Sequence, residues 1–237
     1  IKNPERYTDR LMNALQKELN LDRQPRHIEC FDNSNLQGAH PVASCVVFRD
    51  GKPARKEYRH FNIKTVEGAD DYASMREVVF RRYTRLMAEG AELPDLIIAD
   101  GGKGQMGVIH EVLEHLGLDI PIAGLAKNDR HRTSELLYGF PPLLVGIRPT
   151  SPLFHFLTHI QEEVHRFAVS FHRQKRSKAF IHSELERIEG IGDKTVQTLL
   201  RHFRTVEKVR AAHIEELSAL VGPAKAKKIR TFFETAN

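Results

Sequence analysis

The chain has 237 residues, of which 41% are hydrophobic and 28% charged, proportions that are ordinary for a soluble globular protein. This length suffices for one sizeable domain and a small one. No apolar run approaches the ~20 residues of a membrane span and no signal-peptide pattern opens the chain, which argues against a membrane or secreted protein. Cys30 and Cys45 lie in apolar, strand-like surroundings, as expected of buried thiols in a reducing cytoplasm. Because the chain begins at Ile1 rather than Met, we expect a fragment of a longer protein.

The net charge of +5 is unevenly distributed along the chain. Residues 1–171 carry 22 Lys and Arg against 23 Asp and Glu. Residues 172–183 carry four cations and no acid, and residues 184–237 carry ten cations against eight acids. A near-neutral body with a basic appendage suits a polyanionic partner such as nucleic acid. A solvated lysine-rich tail would have the same composition, so charge alone leaves both interpretations open.

The first third of the chain predicts a helix followed by three strands. The spacing of apolar residues in 3–21 is that of an amphipathic helix. Three strand-like runs follow, "HIECFDNS" (27–34), "PVASCVVFRDG" (41–51) and "KPARKEYRHFNIK" (52–64). The "RDGK" junction between the second and third runs indicates a tight hairpin.

The pattern then changes to alternating helices and strands. Residues 70–89 and 105–117 have helical spacing, and the short apolar runs "PDLIIAD" (94–100) and "DIPIAGLAK" (119–127) predict buried strands. This order predicts an α/β fold with a ribonuclease-H-like mixed sheet, in which three antiparallel strands precede two parallel ones and helices flank the sheet. A doubly wound dinucleotide-binding sheet would need helical crossovers from the first strand onward.

The last third is predicted to be helical. Residues 152–178 form a long helix with one apolar stripe, and "LERIEGIGDKTVQTLLRHF" (185–203) and "IEELSALVGPAKAKKIRTFF" (214–233) are each a helix, a glycine-containing turn and a second helix. Together these two units predict a small all-α, tandem helix-hairpin-helix domain. The predicted organisation is an N-terminal helix or connector (1–25), a ribonuclease-H-like domain (26–178) and the helix-hairpin-helix domain (179–237).

The glycine loop after the fourth strand has the form of a nucleotide-binding motif. Residues 102–107 ("GKGQMG") match G-x-G-x-x-G behind an apolar run. However, the acid that a dinucleotide site needs about 20 residues further on would be Asp119, which precedes the next strand instead of ending it. The P-loop pattern also fails, because Lys103 is followed by Gly104. We therefore expect no nucleotide cofactor, and glycines that leave room for a DNA backbone and a metal; a purely structural turn remains the alternative.

Two aspartates at strand ends predict a metal site instead. Alternation in "HIECFD" places Asp32 on the same face as Ile28 and Cys30, where a carboxylate is costly to bury unless it is paired or bound to metal. Asp100 follows a fully apolar strand. If the first and fourth strands are neighbours, both carboxylates converge on one cation, and such oxygen ligands suit Mg²⁺.

A third group is expected from the long helix, which carries four histidines. At about 100° per residue, His155 and His159 point away from the apolar stripe, whereas His165 and His172 lie on its flank. His165 lies beside the predicted core and His172 lies in the basic stretch. His165 is the candidate, although a structural role for a flank histidine stays open.

Six segments together resemble the C-terminal half of UvrC, a family of bacterial nucleotide-excision-repair nucleases. They are "ECFDNSNLQG", "GADDYASMREVVFRRY", "PDLIIADGGKGQ", "GLAKNDRHRT", "EEVHRFAVSFHRQKR" and "GIGDKTVQTLLRHF", which occur in the family's order over nearly the whole chain. Residues 33–36 and Glu189 depart from the family's pattern and leave the Asp, Asp and His positions intact.

The resemblance implies a divalent-metal-dependent DNA endonuclease that hydrolyses a phosphodiester 5′ to a lesion. Its Asp-Asp-His triad, with Mg²⁺ or Mn²⁺, falls on Asp32, Asp100 and His165. The role of His165, as a metal ligand or as an acid or base, stays open. The resemblance also implies damaged or nicked double-stranded DNA and UvrB as partners, with UvrA upstream in the pathway. A non-catalytic, structure-specific DNA-binding scaffold is the alternative function.

Contacts to DNA phosphates are expected from basic side chains near the triad and from the glycine turns of the two hairpins, whose backbone N–H groups can approach a phosphate closely. Contacts of this kind position a duplex without reading its bases, so binding should respond to DNA structure and fall steeply with salt. The candidates are Lys103, Arg76, Lys127, Arg166, Gly190, Gly192, Lys194, Gly222, Lys225 and Lys228.

Overall fold

The structure is a computed structural model that describes residues 4–34, 42–66, 68, 70–127 and 133–235, without the side chains of residues 34, 133, 134 and 172–183. The chain divides into two compact units, Ile1–Phe171 and His172–Asn237. Among the described residues, no helix is both long and apolar enough to cross a membrane. The domain boundaries predicted at residues 25 and 178 stay predictions.

The first unit is built on one mixed sheet. Its strands are β1 (His27–Ser34), β2 (Val42–Arg49), β3 (Lys52–Pro53), β4 (Arg59–Asn62), β5 (Leu96–Ala99), β6 (Ile122–Lys127), β7 (Thr133–Tyr138) and β8 (Leu143–Val145). They lie in the order β3-β2-β1-β5-β6-β7-β8, and β4 also pairs with β2. The strands β1, β5 and β6 are parallel neighbours, and β2 is antiparallel to β1. The predicted α/β fold, with its antiparallel strands followed by two parallel ones, is confirmed.

The sheet differs from the prediction in two places. The third predicted strand is interrupted: Pro53 has no backbone N–H to continue a ladder, and a 3₁₀ turn at Arg55–Glu57 separates β3 from β4. The strands β7 and β8 were not predicted and extend the sheet beyond β6 in antiparallel pairs. Leu143 and Leu144 of β8 are exposed, so this strand has no buried-and-polar alternation from which it could be recognised.

Helices cover the sheet and complete the core of the first unit. They are α1 (Pro4–Glu18), α2 (Asp71–Ala88), α3 (Lys103–Leu116) and α4 (Pro152–Glu186). Leu11, Met12 and Leu15 of α1 are buried in this core. The apolar stripe predicted for the long helix is also buried, from Leu153 to Ala168, and Phe167 stacks on His60 of β4 with ring centroids 3.6 Å apart. The stripe thereby fixes which side of α4 faces the sheet.

The second unit is all-helical and has its own core. After the end of α4 it contains α5 (Asp193–Phe203), α6 (Val206–Ala211), α7 (Ile214–Val221) and α8 (Pro223–Thr235). Its buried residues include Leu185, Val196, Leu217 and Ile229. The two predicted helix-turn-helix pairs are present. The long helix was predicted to end near Lys178 but ends at Glu186, because the basic stretch 172–183 continues as helix.

Candidate metal centre

Asp32 and Asp100 meet because β1 and β5 are parallel neighbours. Phe31 of β1 pairs with Ala99 of β5, so the next residue on each strand carries one of the carboxylates. The backbone N–H of Asp100 donates a hydrogen bond to the Phe31 carbonyl oxygen at 2.9 Å, which keeps the two chains in register up to the site. Both carboxylates are therefore held at the carboxyl edge of the parallel strands.

His165 of α4 is the third member of the cluster. One ligand atom from each of Asp32, Asp100 and His165 lies within 4.8 Å of the other two. Within the part of the chain that the structure describes, this is the one group of three or more His, Cys, Asp or Glu side chains close enough to share an ion. The Asp32 and Asp100 side chains are 9% and 2% exposed and that of His165 is 60% exposed, so the cluster opens to solvent on the histidine side.

The carboxylate of Asp100 has a hydrogen-bond donor on each oxygen. Lys127 Nζ donates to Oδ2 at 2.9 Å, and Gln161 Nε2 donates to Oδ1 at 2.6 Å. Burial and the negative charge of Asp32 nevertheless raise the pKa of Asp100, against the opposing effects of Lys127 and Gln161. Asp100 thus lies in an environment that does not fully compensate its charge.

The negative charge of the Asp32 carboxylate is compensated less completely than that of Asp100 by the described residues. Its Oδ2 is buried and has no hydrogen-bond partner among the described residues. His165 Nδ1 lies 3.7 Å from this oxygen, an ion-pair distance rather than a hydrogen-bond distance. The Asp32 carboxylate raises the pKa of His165, and the partial burial of the imidazole opposes this increase.

These donors fit a hard divalent cation. Two carboxylates and one imidazole are a ligand set that Mg²⁺ or Mn²⁺ accepts, with water and substrate phosphate completing the coordination. The Asp32 Oδ2 atom is an acceptor that the fold buries without supplying a donor, and a bound cation would remove that deficit. Nearby, burial raises the pKa of the Cys30 thiol well above its ordinary value, which leaves it protonated and a poor ligand.

The glycine loop contributes to packing as well as to access. Gly102 precedes α3, and Lys103 is the first residue of that helix and is exposed. A side chain at Gly104 would collide with the Tyr72 hydroxyl of α2, so this glycine allows the two helices to approach closely. Gly104 thus leaves room for Tyr72, and the expectation that the glycines leave room for DNA and a metal stays a prediction.

The other cations predicted near the triad already have acidic partners. Lys127 binds Asp100 as described, Arg76 NH2 lies 3.0 Å from Glu111, and Arg166 donates two hydrogen bonds to Glu163. The Arg76 and Arg166 side chains are 52% and 59% exposed, so both reach solvent from these pairs. Their role in DNA binding stays a prediction.

In the second unit the two predicted glycine turns are close together. Gly190 and Gly222 both have positive φ, 83° and 86°, a conformation that favours glycine. Lys225 Nζ donates to Thr195 Oγ1 at 2.8 Å, and Lys228 Nζ lies beside Gly190. Gly192 precedes α5, and Lys194 in its first turn is exposed. The candidates from both hairpins therefore lie near one another.

Several motif residues lie outside the described part of the chain. They are residues 35–38 of the first motif, residue 69 of the second and residues 128–132 of the fourth. The side chains of the basic stretch 172–183, including His172, lie outside it as well.

Sequence reasoning missed Gln161, the buried residue that binds Asp100. A signal for it was present, since Gln161 and His165 are four residues apart and therefore lie on the same side of α4. Gln161 directly follows Ile160 of the apolar stripe, and a polar side chain buried beside such a stripe needs a hydrogen-bond partner.

An eight-stranded mixed sheet with β1, β5 and β6 parallel, two carboxylates at the ends of its parallel strands and a tandem helix-hairpin-helix unit are typical of the ribonuclease-H-like endonuclease class. The family model "UvrC RNAse H endonuclease domain" matches residues 16–169, and the model "SAM-like Helix-hairpin-helix tandem" matches residues 183–235. The chain belongs to the UvrC family.

Relatives of this chain are named UvrABC system protein C. That of Bacteroides fragilis is 60% identical over 228 residues, which cover 96% of this chain and 38% of the relative. That of Flavobacterium johnsoniae is 50% identical over 237 residues, 99% of this chain and 39% of the relative. The chain thus spans about two fifths of the length of these relatives. Among solved structures, Ciona intestinalis endonuclease V in complex with a 24mer DNA containing an inosine aligns with a TM-score of 0.34 and 17% identity, over 52% of this chain and 59% of that one, a likeness too weak to carry an argument.

Proposed function

We propose that this chain hydrolyses a DNA phosphodiester in nucleotide excision repair, with Mg²⁺ or Mn²⁺ at Asp32, Asp100 and His165. The observation that carries the proposal is the cluster itself: three ligand atoms within 4.8 Å of one another, contributed in part by Asp32, which has a buried oxygen without a donor among the described residues. Membership of the UvrC family supports the choice of reaction, and by resemblance the incision lies 5′ to a lesion.

Asp32 and Asp100 would hold the cation, because both carboxylates are fixed by the strand register and face the same space. When bound, the cation polarises the phosphoryl oxygen and lowers the pKa of a coordinated water. The two carboxylates supply the negative charge that the site needs, and the sheet beneath them restrains their positions.

His165 lies where it can act in either of two ways. Its imidazole is close enough to the carboxylates to be a third ligand, and its exposure leaves it accessible to substrate. Because Asp32 favours the protonated imidazole, His165 can alternatively give a proton to the leaving 3′-oxygen. In both roles, replacing His165 by alanine should slow cleavage.

The helix-hairpin-helix unit would hold the substrate duplex. Gly190, Gly192, Lys194, Gly222, Lys225 and Lys228 offer backbone N–H groups and ammonium groups to phosphates, with Arg76, Lys103, Lys127 and Arg166 as candidates in the first unit. We take damaged or nicked double-stranded DNA as the substrate, UvrB as a partner with UvrA upstream, and the cytoplasm as the location. The names of the relatives, as parts of a UvrABC system, support these assignments.

The test is cleavage of a labelled, nicked duplex that carries a lesion, with Mg²⁺ or Mn²⁺ present. Asp100→Asn keeps the size of the side chain and removes its charge, so we expect cleavage to fall by about 10³-fold, equivalent to about 4 kcal/mol in the activation barrier. Asp119→Asn is the matched control, because Asp119 is exposed and lies before the amino end of β6, away from the carboxyl edge.

Equal cleavage by Asp100→Asn and wild type would refute the proposed site. A wild-type chain that binds the nicked duplex and leaves it intact with either metal would instead support the non-catalytic scaffold.

A further inference from the structure

Gln161 joins α4 to the ends of two strands. Its Nε2 donates to Asp100 Oδ1 at 2.6 Å and to the Leu125 carbonyl oxygen of β6 at 3.0 Å. Both acceptors are oxygens that require a donor, which fixes the amide nitrogen on this side of the side chain. With both N–H bonds used and only 3% of the residue exposed, the amide has one orientation available.

The two donors on Asp100 differ in how firmly they are held. Gln161 is buried and anchored by its second hydrogen bond, whereas the Lys127 side chain is 33% exposed and reaches Oδ2 at the end of a flexible stem. Replacing the Lys127 contact requires only that an ammonium move into water. Replacing the Gln161 contact would deprive the buried amide of one of its two acceptors, a cost of about 1–3 kcal/mol. Oδ1 is therefore the fixed oxygen of Asp100 and Oδ2 the exchangeable one.

The same helix turn that carries Gln161 carries the third ligand candidate. Gln161 and His165 are four residues apart on α4, and they contact Asp100 and Asp32 respectively. A hydrogen bond from Gln161 thus sets the orientation of one carboxylate, while the buried apolar stripe positions α4. A loss of this bond would change the position of the Asp100 oxygens relative to the other two ligand atoms.

We propose that Gln161 is the positioning residue of the metal centre: it holds Asp100 Oδ1, orients the carboxylate, and leaves Oδ2 to exchange Lys127 for a divalent cation. This inference rests on the proposed function. The atom that Gln161 directs at Asp100 is the amide nitrogen, a donor that cannot bind a cation, so Gln161 acts through the carboxylate. Because Gln161 already orients the Asp100 carboxylate, the binding free energy of the cation is not reduced by the entropy of ordering that side chain.

The test is Mn²⁺ binding by the full chain, followed through the electron paramagnetic resonance signal of free Mn²⁺. Gln161→Met keeps the length of the side chain and removes both hydrogen bonds. We expect its dissociation constant for Mn²⁺ to rise about 10- to 100-fold, as for other residues that orient metal ligands. Asp32→Asn, which removes a ligand charge, should weaken binding at least as much.

Gln16→Met controls for the loss of a glutamine amide as such. Gln16 Nε2 donates to the Leu21 carbonyl oxygen at 3.1 Å in a partly buried position within the same unit. We expect it to lower the metal-free melting temperature without changing Mn²⁺ affinity. If Gln161→Met does not fold, Gln161→Asn keeps the amide but is one methylene too short to reach both acceptors, and it should weaken Mn²⁺ binding at least fivefold.

The outcomes separate this inference from the function on which it rests. If Asp32→Asn abolishes binding and a folded Gln161 variant binds Mn²⁺ within twofold of wild type, Gln161 is structural only and the metal centre stands. If wild type binds no Mn²⁺, or Asp32→Asn binds it equally well, the proposed metal centre fails and the role of Gln161 fails with it.

Discussion

Glu29 and Asp32 are three residues apart in β1 and both are buried, but the fold treats them differently. Glu29 is on the face that packs against α2, where Arg82 donates to both carboxylate oxygens at 2.6 and 3.1 Å, and the Tyr83 hydroxyl and His27 add further contacts at 2.9 and 3.2 Å. Asp32, on the other face, has a buried oxygen with no donor among the described residues. One strand therefore carries two kinds of buried acid. We call Glu29 saturated, because both of its oxygens accept hydrogen bonds, and Asp32 unsaturated, because one of its oxygens has no donor among the described residues.

The fold also shifts the pKa values of the acids at the two sites in opposite directions, as Glu29 and Asp100 show. Burial alone would raise the pKa of Glu29, but hydrogen bonds from His27 and Arg82 outweigh it and lower the pKa to about 2. At the other site, burial and the charge of Asp32 raise the pKa of Asp100. A saturated acid contributes to the stability of the fold, whereas the negative charge of Asp32 and Asp100 together is only partly compensated, which suits a bound cation.

Breaking the saturated site should have the largest effect on stability. Glu29→Leu leaves the Arg82 guanidinium, whose side chain is 10% exposed, without its carboxylate, so the free energy of unfolding should fall by about 3–5 kcal/mol. Urea unfolding followed by circular dichroism measures this change.

The double variant Glu29→Leu with Arg82→Met is the control, because it removes both charges and fills the same space with apolar atoms. It should recover more than half of the loss, since a buried ion pair contributes little compared with well-packed hydrophobic residues. A single variant as stable as wild type would show that the network is not a stabilising element.

Periodicity was sufficient to predict the centre of the fold from sequence. The parallel strand β5 is a short, fully apolar run between helices, β6 is apolar up to Lys127, and the stripe on α4 has one clear face, so local patterns agree with tertiary burial there. The edges could not be predicted in the same way. The strands β3 and β4 are two short pieces around a turn, and β8 exposes its leucines, so neither region has the alternation of a half-buried strand.

The candidate site shows a similar limit. Asp32 and Asp100 could be proposed because each carboxylate follows apolar strand residues, and the register of β1 and β5 brings them together. Contacts across the fold cannot be predicted from sequence spacing. Glu29 accepts a hydrogen bond from Arg82, fifty-three residues away in sequence, and Gln161 donates one to Asp100, sixty-one residues away. The same lack of long-range information explains why the contact between Gly104 and Tyr72 could not be predicted.

Adding a divalent cation should separate the two acids further, because only Asp32 of this pair belongs to the cluster that we propose as the metal site. At a Mn²⁺ concentration about 100 times the dissociation constant, the native state should gain about 2.7 kcal/mol, or about 5–10 °C in melting temperature for a protein of this size. Asp32→Asn should remove this increase. Glu29→Gln should melt lower than wild type in the absence of metal yet show the same increase on adding Mn²⁺. An increase that survives Asp32→Asn would place the ion elsewhere.

The smallest expected effect, taken per pH unit, is a difference in acid sensitivity. Because the pKa of Glu29 is lowered from its ordinary 4.5 to about 2 by folding, its ionised form stabilises the fold fully above pH 4.5, and this contribution is lost as the pH falls toward 2. Wild type should therefore lose stability more steeply than Glu29→Gln over this interval, by at most about 1.4 kcal/mol per pH unit.

Urea midpoints measured at half-unit steps from pH 5 to pH 2 in metal-free buffer would reveal this difference. Glu89→Gln serves as the control, since Glu89 directly follows α2, is half-exposed and forms an ion pair with Arg85 at the surface, and its curve should parallel that of wild type. Parallel curves for wild type and Glu29→Gln would mean that the Arg82 network stabilises the protonated and ionised acid equally. In that case saturation by donors would not be what distinguishes the two buried acids of β1, and the absence of a donor at Asp32 would lose its value as an indicator of a metal site.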